Sequence, residues 1–265
     1  MDNGAYYRSP RNFWAFRRAW KEIFRVVILG VSGSCSTKKT TANQTHPMTK
    51  FIDFYWKKRI ETCKAALQKN NFEVFLAEDP ADANQLILNE IFPAISVRSV
   101  SWGDSMSLHA TKVLEKIEEN QDIEIIKTFE PGVPRDEIME RRRQALLVDV
   151  FFTGSNALTE SGKLVNLDMV GNRVAGITFG PKYVIITVGR NKIVAEFEEA
   201  VHRIKNYAAP LNAIRHTGFK TPCAKNSYCS DCNSPDRICN VWTITEKSYP
   251  KGRIKVVIIN QDIGL

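Results

Sequence analysis

Pro134-Arg-Asp-Glu-Ile-Met-Glu-Arg-Arg-Arg-Gln-Ala-Leu-Leu-Val-Asp-Val-Phe-Phe-Thr153 sets a charged, helix-forming stretch directly against an apolar run. Pro134 to Leu146 reads as a helix and Leu147 to Thr153 as a strand. The strand is continuously apolar rather than alternating, as burial on both faces of a parallel sheet requires. The same alternation of helix and strand extends upstream. Thr49 to Asn70 reads as a helix with Phe51, Phe54, Tyr55, Ile60, Cys63, Ala66 and Leu67 at helical spacing, stopped by Asn70-Asn71. Cys63 falls on that stripe and reads as a buried structural thiol. Phe72 to Ala77 is a strand, Asp79-Pro80 opens a helix to about Phe92, and Ile95 to Trp102 is a strand. Ser105 to Asn120 is a helix and Ile123 to Phe129 a strand.

Downstream, Val174 to Phe179, Tyr183 to Val188 and Ile254 to Asn260 read as strands, and Val194 to Tyr207 as a helix. No helix is expected between Phe151 and Val188. The fold class is therefore α/β: a mostly parallel sheet flanked by helices, with an antiparallel, hairpin-rich insert.

Open α/β sheets bind ligands beyond the carboxyl ends of their strands. Two segments qualify. In Val100-Ser-Trp-Gly-Asp-Ser-Met-Ser-Leu108, Gly103 permits a tight turn, and next to Asp104 the Ser105 and Ser107 hydroxyls with the free amides of the helix start suit an anion. An ordinary turn with Asp104 or Ser105 as N-cap explains it equally well. The second segment, Phe152 to Val174, gathers Gly154, Ser155, Asn156, Glu160, Asn166, Asp168, Asn172 and Arg173. It reads as the floor of a polar pocket or as a surface hairpin turning at Glu160-Ser-Gly162. Lys182, Arg190 and Lys192 offer positive charge for a phosphate or carboxylate, or stand solvated. Arg141 to Arg143, beside Glu137 and Glu140, read as a solvated helix face. His109, His202 and His216 lack an evident nucleophile partner and read as structural. No Walker loop, dinucleotide fingerprint, nucleophile elbow or H-E-x-x-H is present.

Near the C-terminus Cys223, Cys229, Cys232 and Cys239 stand as C-x5-C-x2-C-x6-C in a turn-rich segment. Four thiols at this density point to a metal or iron–sulfur site. Two disulfides in an oxidising compartment and four unconnected thiols are the alternatives. Zinc typically takes two short pairs; the single C-x2-C pair leans toward a [4Fe–4S] cluster.

The net charge is +8, but residues 1–47 carry eight basic and two acidic residues, leaving only +2 for the other 218. That distribution argues against a nucleic-acid partner. Within residues 1–47 the apolar run Val26 to Val31 is too short to span a membrane. This basic segment reads as a disordered or non-native extension, with an export signal as the alternative. Residues 48–265 read as one α/β domain containing the cysteine segment 221–240.

The sequence resembles the lactate utilization (LUD) domain family from about Met48 to Leu265. The resemblance rests on Trp102-Gly-Asp-Ser-Met-Ser-Leu108, on Asp149 through Asp168, on Gly171-Asn-Arg-Val-Ala175, and on Phe179-Gly-Pro-Lys-Tyr-Val-Ile through Gly189-Arg-Asn-Lys-Ile193. It implies a fold related to CoA-transferases, ribose-5-phosphate isomerase and formyltetrahydrofolate cyclo-ligase. It also implies a link to oxidation of lactate to pyruvate by an iron–sulfur complex of several redox subunits. The ferredoxin-type cysteine runs of the family's larger iron–sulfur subunit are absent.

Taken with the residues, the resemblance leads to the expectation of a cytoplasmic subunit or accessory of lactate oxidation, holding a small anionic metabolite and a [4Fe–4S] cluster. The alternative is a metabolite-binding or regulatory module with structural zinc. An isomerase or ligase using Glu160 or Asp168 as acid–base is a third reading, from fold analogy.

Overall fold

A computed structural model of the protein describes residues 47–265; the expectations for the N-terminal extension lie outside them. At its centre is a six-stranded parallel sheet made of β1 (Glu73–Ala77), β2 (Ser99–Trp102), β3 (Glu124–Ile126), β4 (Val150–Thr153), β7 (Tyr183–Gly189) and β10 (Ile254–Ile259). Their order is β1-β10-β7-β4-β2-β3, and every neighbouring pair is parallel. The apolar runs mark strands buried on both sides. Val184, Ile186 and Val188 of β7 enter one core, and Ile185 enters the other. Each such Val or Ile contributes roughly 1.5–3 kcal/mol of burial free energy.

The second sheet comprises β5 (Ala157–Thr159), β6 (Leu164–Asp168), β8 (Ile193–Val194) and β9 (Val241–Thr245), in the order β8-β5-β6-β9. Strands β5 and β6 form the expected hairpin, pairing Ala157 with Val165 and Leu158 with Leu164. At its tip Gly162 has φ of 79°, and a Cβ there would stand 2.6 Å from the Ala66 carbonyl carbon. The tip is thus pressed against helix α1 (Pro47–Lys69), where the Asn70 amide donates to the Ser161 and Gly162 carbonyls.

Helices cover both sheets. α2 (Pro80–Leu86), α3 (Met106–Thr111) and α4 (Val113–Glu118) pack on one face of the large sheet. On its other face lie α1, the second sheet and α6 (Asn172–Thr178), while α5 (Arg135–Gln144) leads into β4. α7 (Phe197–Arg203) continues through a π-helical turn (Ile204–Ala208) into α8 (Ala209–Arg215). Pro210 lacks an N–H for the regular helical bond, which accounts for the wider turn preceding it. A short α9 (Pro222–Asn226) opens the cysteine segment.

Three local readings need correction. Val174 to Phe179, expected as a strand, lies largely within helix α6. The expected Ser105–Asn120 helix is broken at Lys112, whose φ of 55° is left-handed. The first half of the α1 stripe is solvent-facing, with Phe51 69% exposed, and burial begins at Ile60.

Candidate functional site

The order in which strands are added to the sheet reverses between β2 and β4, although the two strands run parallel. β2 is followed by β3 on one side, whereas β4 leads toward β7 on the other. Loops leaving these two strands therefore diverge, and a crevice opens beyond their carboxyl ends. The crevice has a volume of about 270 Å³. Asp104 and Ser105 enter it from the loop after β2. Gly154, Ser155 and Asn156 enter from the loop after β4. Asp168, Asn172 and Arg173 come from the end of β6 and the start of α6, Lys192 from the turn after β7, and Asn212, Arg215 and His216 from the end of α8.

Arg173 organises the floor. It donates to the Gly154 and Leu167 carbonyls and to the side-chain oxygens of Asn156 and Asn166, and it pairs with Asp168 at 3.2 Å. Its donors are thus committed to the protein, so it fixes the two Asn side chains and both loops rather than reaching for a ligand. Gly103 lies behind it: a Cβ there would meet the Arg173 Cγ at 2.8 Å. Asn166 is fully buried in the same network. The Ser105 hydroxyl accepts from the Leu108 N–H and caps α3, so the N-cap reading describes it.

At the rim Asp104 holds Arg215 by a salt bridge, with His109 Nε2 at 3.6 Å and His216 Nε2 at 4.0 Å. Burial pushes the Asp104 carboxyl up, but contacts with His109 and Arg215 outweigh it and bring it down to about 2. Burial, reinforced by the Arg215 charge, lowers the His216 imidazole below its ordinary value, so it is largely neutral at neutral pH. His216 lines the crevice.

Two further cations lack a carboxylate partner among the described residues. Arg142 turns inward, its guanidinium 5.2 Å from the Phe129 ring centroid and its Nε buried without a hydrogen bond. The solvated-face reading holds for Arg141 and Arg143, which pair with Glu137 and Glu140, but not for Arg142. Lys192, 4% exposed, makes no side-chain hydrogen bond or ion pair among those residues. Burial, then the charges of Arg203 and Arg173, bring its amine down to about 7. A buried unpaired cation costs several kcal/mol, and such groups gather where a ligand supplies the opposite charge.

Two of the expected pocket residues lie elsewhere. Glu160 sits at the hairpin tip and pairs with Arg59 of α1. Lys182 precedes β7, at the amino end of the sheet, and pairs with Asp149 at 2.7 Å. Glu160 and Asp168 therefore do not share a site: of the two acid–base candidates, only Asp168 lines the crevice.

The cysteine segment forms the wall beside α8. Cys223 and Cys239 pack with Ala213 and Ile238 in one apolar cluster, to which Met169 and Phe219 also belong; Ile238, Met169 and Phe219 line the crevice as well. Cys229 and Cys232 lie on the intervening turn, half-buried, and the Asp231 N–H donates to the Cys229 Sγ at 3.4 Å. Lys205 and Arg237 stand close enough to influence the thiol charges. Four soft thiols with two compensating cations are the right donor chemistry for a zinc or iron–sulfur centre. Among the described residues, however, no three His, Cys, Asp or Glu side chains converge closely enough to hold a metal ion. Nor is any helix there long and apolar enough to cross a membrane.

The sequence matches the LUD domain family over residues 60–259. Among solved structures it is similar to a DUF162 family protein from Deinococcus radiodurans, at 12% identity over 77% of this chain and 98% of that one, with a TM-score of 0.42. It is also similar to eIF2B delta from Chaetomium thermophilum, at 18% identity over 57% of this chain and 55% of that one, with a TM-score of 0.29. A search of curated proteins finds no match. With the family match spanning three-quarters of its length, the chain belongs to the LUD domain family.

Proposed function

We propose that this LUD-domain protein holds a small anionic metabolite, a 2-hydroxy or 2-oxo acid, in the crevice. In this reading it is a subunit or accessory of iron–sulfur-dependent oxidation of lactate to pyruvate. The family's association with lactate utilization supplies the substrate class. The observation that carries the reading is contiguity: Ile238, Met169 and Phe219 line the anion crevice and also pack the cysteine segment. A redox centre on Cys223, Cys229, Cys232 and Cys239 would thus lie directly behind the crevice wall.

The chain's own residues bind and orient the anion. Arg142 offers an unpaired guanidinium suited to a carboxylate. Arg173 fixes the loops around it. Asp104, held ionised by Arg215, sets the rim. Cys223, Cys229, Cys232 and Cys239 are the residues that would hold a [4Fe–4S] centre, which would supply one-electron transfer. Such thiolate ligands stay reduced in the cytoplasm, and the reading implies redox subunits as partners.

Metal and acid-labile sulfide, measured on protein purified without oxygen, test this. About four iron and four sulfide per chain are expected. About one zinc and no sulfide would contradict the redox role and leave a metabolite-binding module with a structural zinc knuckle.

A further inference from the structure

We propose that Lys192 is a nucleophilic amine that condenses with the carbonyl group of a 2-oxo acid held in the crevice, forming an imine. This rests on the anion reading above and adds a covalent role that anion binding alone does not require.

The geometry sets Lys192 apart from two other cations of the crevice. Arg173 and Arg215 are tied to carboxylates. A buried ammonium kept for structure finds acceptors, yet Lys192, at 4% exposure, has none among the described residues. The charges that act on it are those of the Arg203 and Arg173 guanidinium groups. Asp104, Asp168, Arg142 and Arg215 also line the crevice. The Gly264 backbone closes over the amine: a Cβ there would lie 3.0 Å from Nζ and 2.4 Å from the Ser107 Oγ. Desolvation beside other cations favours the neutral amine, the form that attacks carbonyls. Burial and the two guanidinium charges give Lys192 a substantial neutral fraction at neutral pH.

In the step itself the Nζ lone pair bonds to the carbonyl carbon, and the carbonyl oxygen takes up a proton, giving a carbinolamine. The hydroxyl then takes the one proton left on nitrogen and leaves as water, and C=N replaces C=O. One water is lost, and no group is oxidised or reduced.

The test incubates the full chain with pyruvate and cyanoborohydride, which reduces an imine to a stable secondary amine, and maps the adduct by peptide mass spectrometry. Calorimetry with pyruvate runs in parallel. The expected result is one reduced pyruvate on Lys192, suppressed by inorganic phosphate and falling about tenfold per pH unit well below the amine's pKa. Binding heat without label on Lys192, or label spread evenly over surface lysines, overturns the imine while sparing the anion crevice. Neither heat nor label overturns both.

Discussion

Asp104 shows how one side chain links the crevice to stability. Its carboxyl, with an ordinary pKa of 3.8, is held at about 2 by the contacts with His109 and Arg215. A carboxyl depressed in the folded state stabilises the fold above its unfolded value and loses that contribution as pH falls through the folded one. Thermal unfolding of the wild type should therefore weaken from about pH 4 toward about pH 2, and Asp104→Asn should flatten that limb. Identical limbs in the two proteins would contradict the assignment. Eight of the twelve pocket residues singled out in the sequence line the crevice, with Gly103 and Asn166 directly behind. They were legible because they follow strands β2 and β4 in turn-rich stretches. Arg142 was hidden because its sequence neighbours are solvated ion-pair formers, and only helix rotation turns it inward. Lys182 could have been set aside from sequence, since a residue preceding a parallel strand lies at the opposite end from the ligand crevice.

Helix α6 is the element on which local preference and tertiary context disagree. Val174, Ile177 and Thr178 are β-branched and favour a strand. Gly171, at φ 96°, caps the helix start, and Gly176 lets it lie on the Phe151 ring, 2.9 Å from where a Cβ would stand. At the other end the Arg253 guanidinium, entering from β10, donates to the Gly176, Ile177 and Pro181 carbonyls. These satisfy acceptors that a short helix leaves open. Arg253 is about 180 positions from β1 and 76 from Ile177, so no local window reveals the cap. Arg253→Met should lower unfolding stability by about 2–4 kcal/mol, because three charge-assisted bonds are lost and buried carbonyls are left bare. Urea unfolding measures it, and a change within about 0.5 kcal/mol would show that the cap is dispensable.

For the whole molecule, the parallel sheet was legible in its apolar runs, since strands buried on both faces leave no room for alternation. The hairpin insert was legible as well. Strand β9 was not: it emerges from the polar cysteine segment and is defined by pairing along β6, with Val241 opposite Asp168. That pairing, together with the Asn240 N–H bonded to the Asp168 carbonyl at 3.0 Å, draws the thiol segment to the crevice wall. Contiguity of the two features is thus a product of topology, invisible in spacing.

Anion recognition by the crevice is tested most directly by calorimetric titration of pyruvate into the wild type and Arg142→Gln. The wild type is expected to bind. The variant is expected to bind about tenfold or more weakly, a loss of about 1.4 kcal/mol or more, with its unfolding midpoint preserved. Absence of binding to the wild type, or equal affinity in the two, would contradict the account.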